Sequence, residues 1–478
     1  MSSPRRATVL VTIAVALVAA ALADRIARPE PDGDDTVALA AQMPTAAPAS
    51  ALSSTWFCAG GTGVPSGRAD ATVIVANPTR RDLTGTLTVT PAAGDAKSVP
   101  LTVPARSRVS TRLGDVVAAD YVAATVDLDG GGAAVEHQAT SPLGMSVAPC
   151  AASGSSRWHV ADGSTARDDT MLLALYNPFP EDAIVDLSFS TDKGRAVPSD
   201  FQGLVVRGGG LGIVDVGLHV RRRDRVAATV ETRSGRLVVD RIQLRAGGTP
   251  KSISLALAAP SPGERWWFAD GLVADGVIER FSVYNPTAEE AAVSLDLIAD
   301  GDAGAIEPFD LTVPARQRID LVANDEERVP KGVAHAASVT SLNGVPVVVE
   351  RSISATSPAS RSGIAEVLGA RRMAARWVLA AGAATDTIDE WVSVLNPTTS
   401  AVRVSFTALA GGQPLPVESL QDVPVAPGRR ETFRLTDHIK RDDLALLVEA
   451  VGGEVVVERA LYAVGSPGLS LTAGIPLR

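Results

Sequence analysis

Apolar residues recur at every second position along most of this chain. Val293, Leu295 and Leu297 alternate with Ser294 and Asp296, and Val402, Val404 and Phe406 alternate with Arg403, Ser405 and Thr407. Val185, Leu187 and Phe189 alternate with Asp186, Ser188 and Ser190, and Leu87 and Val89 with Thr86, Thr88 and Thr90. A period of two with β-branched residues predicts strands that bury one face. No window carries the 3.6-residue period of an amphipathic helix, and residues 436–446 come nearest to one. Asn-Pro pairs, Pro-Ala-Arg turns and glycine clusters punctuate the runs, so the strands are short and joined by tight turns.

The punctuation repeats. A Trp-x-x-Ala-x-Gly frame opens at Trp56, Trp158, Trp266 and Trp377, and an apolar run ends in Asn-Pro at Asn77, Asn177, Asn285 and Asn396. A valine-rich run then ends in an acid followed by a base, at Glu136-His137, Asp240-Arg241, Glu350-Arg351 and Glu458-Arg459. The Trp positions step by 102, 108 and 111 residues and the Asn positions by 100, 108 and 111. Three markers moving together predict one unit of about 105 residues used four times, a common domain size. The divisions fall at 55–151, 152–262, 263–372 and 373–478, after 1–24 and 25–54. Seven or eight short strands per unit predict an all-β chain of four tandem immunoglobulin-like β-sandwiches. A closed β-propeller taking two blades from each unit satisfies the same pattern. The sandwich reading makes the chain a stiff row of modules, because the units abut without linkers.

Composition fits a folded chain outside the cytoplasm. Hydrophobic residues are 46% and charged residues 21%, which is globular rather than disordered. A formal charge of −10 sets nucleic acid aside as a partner. Arg221, Arg222, Arg223 and Arg225 are a local exception; such a cluster is either a solvated turn or a contact to anionic polymer or lipid. Arg5 and Arg6 precede an uncharged apolar stretch, 7–23, that reads as a signal sequence or short membrane anchor. It would place the remainder outside the cytoplasm, either secreted or held at the cytoplasmic membrane. Residues 25–54, rich in Pro and Ala, read as a disordered tether. Cys58 and Cys150 are the two cysteines, an even number that in an exported chain predicts a disulfide clasping the first unit. Two cysteines and five scattered histidines predict no metal site.

The acid-base pairs are the most tempting chemistry. Adjacent strand residues point to opposite faces, so one member of each pair faces a core and needs a partner. The turn arginines are the expected partners: Arg106 and Arg108, Arg316 and Arg318, Arg429 and Arg430. That makes Glu136, Asp240, Arg241, Glu350, Arg351, Glu458 and Arg459 structural. Paired-carboxylate catalysis fails, because no second carboxylate repeats; Asp162 and Asp270 give way to Gly60 and Ala381 in the outer units. The four repeated tryptophans read as core. Trp267, Trp391 and Tyr462 lie outside the frame and are the better candidates for a ligand surface, together with Arg221, Arg222 and Arg223. No phosphate loop, dinucleotide fingerprint or nucleophile elbow is present, so no cofactor is expected.

The Trp-x-x-Ala-Asp-Gly opening, the Asn-Pro-Thr strand end, the Pro-Ala-Arg-x-Arg turn and the Val-Val-Glu-Arg strand together resemble an uncharacterised family of exported actinobacterial proteins, domain-of-unknown-function family 5719. The resemblance spans about Trp56 to Pro476 and implies an envelope-associated β-repeat protein without assigned catalytic residues. The unit 152–262 departs from it, with Val205 to Gly212 where the Pro-Ala-Arg turn belongs. The expected function is that of a non-enzymatic spacer, scaffold or binding module of the cell envelope. The alternatives are an accessory protein that binds envelope polysaccharide and, third, an unrecognised hydrolase.

Overall fold

The computed structural model describes residues 44–64, 67–301 and 306–478. The expected signal or anchor segment lies outside these residues. Gln42–Arg478 form one compact unit. The described residues are nearly all β, in antiparallel sheets of which none closes into a barrel; their helices are single 3₁₀ turns. The helix-like window at 436–446 is such a turn, Leu435–Asp437, running into the strand Arg441–Val451.

The first stretch holds eight strands: β1 (Ser54–Cys58), β2 (Asp70–Asn77), β3 (Leu83–Pro91), β4 (Lys97–Val103), β5 (Ser107–Arg112), β6 (Val122–Leu128), β7 (Ala134–Ser141) and β8 (Gly144–Pro149). They form two sheets, ordered β1-β6-β3-β4 and β5-β2-β7-β8. Trp56, Leu87 and Val126 of one sheet share a buried core with Val73, Val75 and Val135 of the other. The same two strand orders return in the second, third and fourth stretches. In the second, Gly194–Ala196 and Leu204–Val206 divide the edge of one sheet; in the fourth, Ile475–Pro476 adds a strand beside Arg376–Ala384.

The repeated residues set this geometry. Each Trp side chain is at most 1% exposed. Each Asn caps the turn after β2 or its counterpart and ties it to the next edge strand. The Asn285 amide donates to Glu289 O (2.6 Å) and Val313 O (3.0 Å), and its Oδ1 accepts from Thr287 N (2.9 Å). Asn77, Asn177 and Asn396 make the corresponding bonds. A buried amide with its donors and acceptor all satisfied is hard to replace, which explains the recurrence.

The chain does not run out as a row. β8 packs against Ser252–Leu257, that strand against Gly363–Leu368, that one against Leu469–Ala473, and Leu469–Ala473 returns to β8. Val147 N donates to Ser470 Oγ (2.9 Å) and Thr472 Oγ1 to Val147 O (2.9 Å), joining the fourth stretch to the first. Buried apolar cores likewise cross from first to second, second to third, third to fourth and fourth to first. The expectation of a stiff rod is therefore corrected to a closed ring. Side-chain burial at both ends of a row would be lost, and closure recovers it. The tether expectation also changes at its end. Thr45 and Ala46 are buried, Ala46 N donates to Pro476 O (3.0 Å), and Gly132 N donates to Ala47 O (2.9 Å). Residues 44–51 thus pack on the first and fourth stretches rather than staying free.

Candidate functional site

The acid-base pairs sit on β7 and its counterparts, interior strands covered on both faces. Alternation sends the acid toward the preceding stretch and the base toward the following one. Arg241 Nη1 lies 2.5 Å from Glu350 Oε2, Arg351 Nη2 pairs with Glu458, and Arg459 Nη1 lies 3.1 Å from Glu136 Oε2. His137, the one base that is not arginine, puts Nε2 3.5 Å from Asp240 Oδ2. The four contacts run around the ring without a gap.

The opening frame completes each contact. Asp240 accepts from Ala59 N (2.7 Å) and Gly60 N (2.9 Å), Glu350 from Ala161 N (2.7 Å), Glu458 from Ala269 N (3.0 Å), and Glu136 from Ala381 N (2.6 Å). Each acid is therefore held by amides of the preceding stretch's Trp-x-x-Ala-x-Gly segment. This joint requirement accounts for both motifs.

The turn arginines have other partners than expected. Arg106 and Arg316 adopt positive φ (50° and 56°), as Gly209 and Gly428 do at the same turn position. They serve the turn and bridge none of the ring acids. Arg108, Arg318 and Arg430, two residues on or at the matching register position, reach the preceding stretch. Arg318 Nη1 meets Asp162 Oδ1 (3.1 Å) and Arg430 Nη1 meets Asp270 Oδ1 (3.1 Å). Arg108 Nη1 donates to Gly382 O (3.1 Å) and Leu444 O (3.2 Å), and Arg429 Nη1 donates to Gly301 O (3.2 Å). In the second stretch Leu211 takes this register position, opposite Tyr176 as Arg318 is opposite Tyr284. The preceding stretch there has Gly60 in place of an aspartate, whereas before Arg108 the aspartate is replaced by Ala381 and the arginine is kept on backbone carbonyls.

Burial governs the charges. It pushes Asp240 up to about 7 against the two amide bonds, and pushes His137 down to about 3. This contact therefore joins a neutral imidazole to a carboxyl near its midpoint at neutral pH. Glu350 and Glu458 are also raised by burial, with Arg241 and Arg351 opposing. Burial alone would lower Arg241 and Arg351, but Glu350 with Glu366, and Glu458 with Glu279, hold both above the usual arginine value. All of these groups are buried, each at most 3% exposed.

Cys58 and Cys150 form the expected disulfide, with His137 Nδ1 3.5 Å from Cys150 Sγ. These three residues make the one cluster of potential metal ligands among the described residues. With the sulfurs joined, neither offers a thiolate, so the donor set does not fit a metal.

Two of the proposed surface aromatics come together. Trp391 and Tyr462 line a cavity of about 390 Å³ between the third and fourth stretches, with Arg361, Asp270, Asp275 and Thr432. Trp391 is half-buried, and its indole N–H donates to Asp389 Oδ2 (2.9 Å), itself held by Arg434 and Thr436. Tyr462 is more buried than expected of a surface residue, at 7% exposed. Trp267 is elsewhere, half-buried beneath Arg265 and bonded through its amide to Ala370 O. The arginine cluster is a turn: Arg222 (φ 54°) and Arg223 donate from their backbones to Thr165, Arg221 Nε donates to Leu218 O, and Arg225 pairs with Asp320 at 2.6 Å. Sequence reasoning missed Arg361, which sits in the loop before Gly363–Leu368 and belongs to no repeated motif.

Residues 133–341 match the family of unknown function DUF5719. The match starts just before β7 and ends with His335–Ser341, the third stretch's counterpart of β6, so it covers two periods out of phase with the sheets. No curated protein matches the chain. Among solved structures, the Anabaena sensory rhodopsin transducer is 26% identical over 19% of this chain and 83% of its own, with a TM-score of 0.17. Thermotoga maritima 1070 is 18% identical over 23% of this chain and 94% of its own, TM-score 0.21. A tetra-tandem repeat in the extending region of a large adhesion protein is 14% identical over 85% of this chain and 95% of its own, TM-score 0.11. At these scores no shared overall fold is defined.

Proposed function

We propose that this DUF5719 chain is a non-enzymatic scaffold and binding module of the cell envelope, built from four copies of one immunoglobulin-like β-sandwich closed into a ring. The observation that carries it is the use of the repeated charges. Every repeated acid is buried and spent on a contact to the neighbouring copy. A carboxylate needs access to substrate to act as acid, base or nucleophile, and these have none. The charge contacts fix the copies against one another, and a fixed ring holds its loops and clefts at set positions. Arg5, Arg6 and the apolar stretch 7–23 support export, and the disulfide supports an oxidising compartment.

The test has two arms. An alkaline-phosphatase fusion after residue 54 should be active outside the cytoplasm. The purified chain should release no soluble fragments from envelope polymers. Turnover that falls when any of Glu136, Asp240, Glu350 or Glu458 is changed to its amide would overturn the non-enzymatic reading; an inactive fusion would overturn export.

A further inference from the structure

A role in the scaffold is served by residues that repeat, and the aromatic pair does not. In register, Trp391 corresponds to Thr72, Leu172 and Arg280, and Tyr462 to Thr140, Leu244 and Ser354. The fourth copy alone places two aromatics there, and they face a cavity whose volume lies in the usual ligand range of about 300–1,000 Å³. Arg361 crosses from the third copy. Its guanidinium carbon lies 3.4 Å from the Tyr462 ring centroid and 5.0 Å from that of Trp391. Among the described residues Arg361 has no hydrogen-bond or ion-pair partner. A guanidinium stacked on ring faces keeps its in-plane N–H groups free, in the fork that matches a carboxylate.

The other charges in the cavity are accounted for. Asp270 is tied to Arg430 and Ser393, and although burial pushes its carboxyl up, Arg430 and Arg351 hold it below the usual range. Arg430 is shared with Asp300. Asp275 is exposed at the rim. Leu272, Ala274, Val277, Ile353 and Leu469 complete an apolar wall.

We propose that this cavity binds an acidic saccharide, with a pyranose face against the Trp391 indole and a ring carboxylate on the free edge of Arg361. Thr432 Oγ1, whose hydrogen is taken up by Ser393 Oγ (2.8 Å), and Asp275 offer acceptors to sugar hydroxyls. The proposal rests on the binding-module part of the function given above. Trp391 is preorganised by its bond to Asp389, so little ordering is needed on binding.

The experiment is calorimetric titration of the full chain with a galacturonic acid trimer and with the neutral galactose trimer. The acidic trimer should bind at least tenfold more tightly than the neutral one. Arg361→Gln should weaken the acidic trimer at least tenfold while leaving the melting temperature within about two degrees, because it breaks no hydrogen bond or ion pair and loses only the stacking on Tyr462 and Trp391. Trp391→Ala should abolish binding of both. Absence of binding by the native chain, equal affinity for the two trimers, or an Arg361→Gln variant that binds as the native chain does would each overturn the proposal. Failure to bind, with no polymer turnover, leaves the scaffold reading standing.

Discussion

Arg459 in the fourth stretch holds Glu136 in the first across 323 residues of chain, Nη1 to Oε2 at 3.1 Å, with Ala381 N bonded to the same carboxylate oxygen at 2.6 Å. It is the same contact that Arg241 makes with Glu350 and Arg351 with Glu458. A contact made only between successive copies would leave the first acid and the last arginine over. Here they meet each other, and both are at most 1% exposed.

Breaking one such contact should be expensive. Arg241 is fully buried between Glu350 (2.5 Å) and Glu366 (2.9 Å). Arg241→Met leaves both acids without that partner and should lower the unfolding free energy by about 3–5 kcal/mol. Arg157→Met, which removes an exposed pair with Glu231, should cost at most about 1 kcal/mol. Denaturant titration of the two variants checks the contrast; equal effects would mean that the ring charges contribute no more than surface pairs.

The junction of the fourth and first copies should respond to pH. Burial pushes Glu390 up to about 7, with Arg459, Arg108 and the Ala383 amide opposing and Glu136 adding to the rise. A folded pKa above the unfolded value means that the folded state holds a proton the unfolded state releases. That contribution is present below about pH 4.5 and is lost as pH rises through 7. Glu390→Gln keeps the neutral shape and removes the titration. Its melting temperature should match the native chain at pH 4 and exceed it at pH 8.5. A native-minus-variant difference that is flat across this range would contradict the assignment.

The disulfide should matter chiefly through the unfolded chain. It joins residues 92 apart, and a loop of that length corresponds to about 4–5 kcal/mol in the loop-entropy account. The Cys58→Ala, Cys150→Ala double variant should lose up to this amount while the native chain remains resistant to denaturant. A loss below about 1 kcal/mol would show that burial around His137 and Asp240 already restrains the two ends.

Much of the fold is legible in the sequence. Val185, Leu187 and Phe189 gave the strand period, and Asn77 with its three counterparts marked one turn four times. Cys58 and Cys150 gave the disulfide. The partners of Glu136 and Asp240 were not legible, because they lie in another copy, and a search for partners inside one copy leads to Arg106 and Arg108 instead. Closure was hidden for a related reason: the motifs that join successive copies read identically whether the last copy is free or returns to the first. Arg361 carried no signal, since its role depends on departing from the repeat.

Small-angle X-ray scattering distinguishes a closed ring from an open row. For residues 42–478 a closed compact ring predicts a radius of gyration of about 22 Å, whereas four units of about 13 Å set end to end would give close to 40 Å. A value near the first, lost on combining Arg459→Met with Arg108→Met, is the expected result. A native value near the second would show that the first and fourth copies do not meet, and the account would fall.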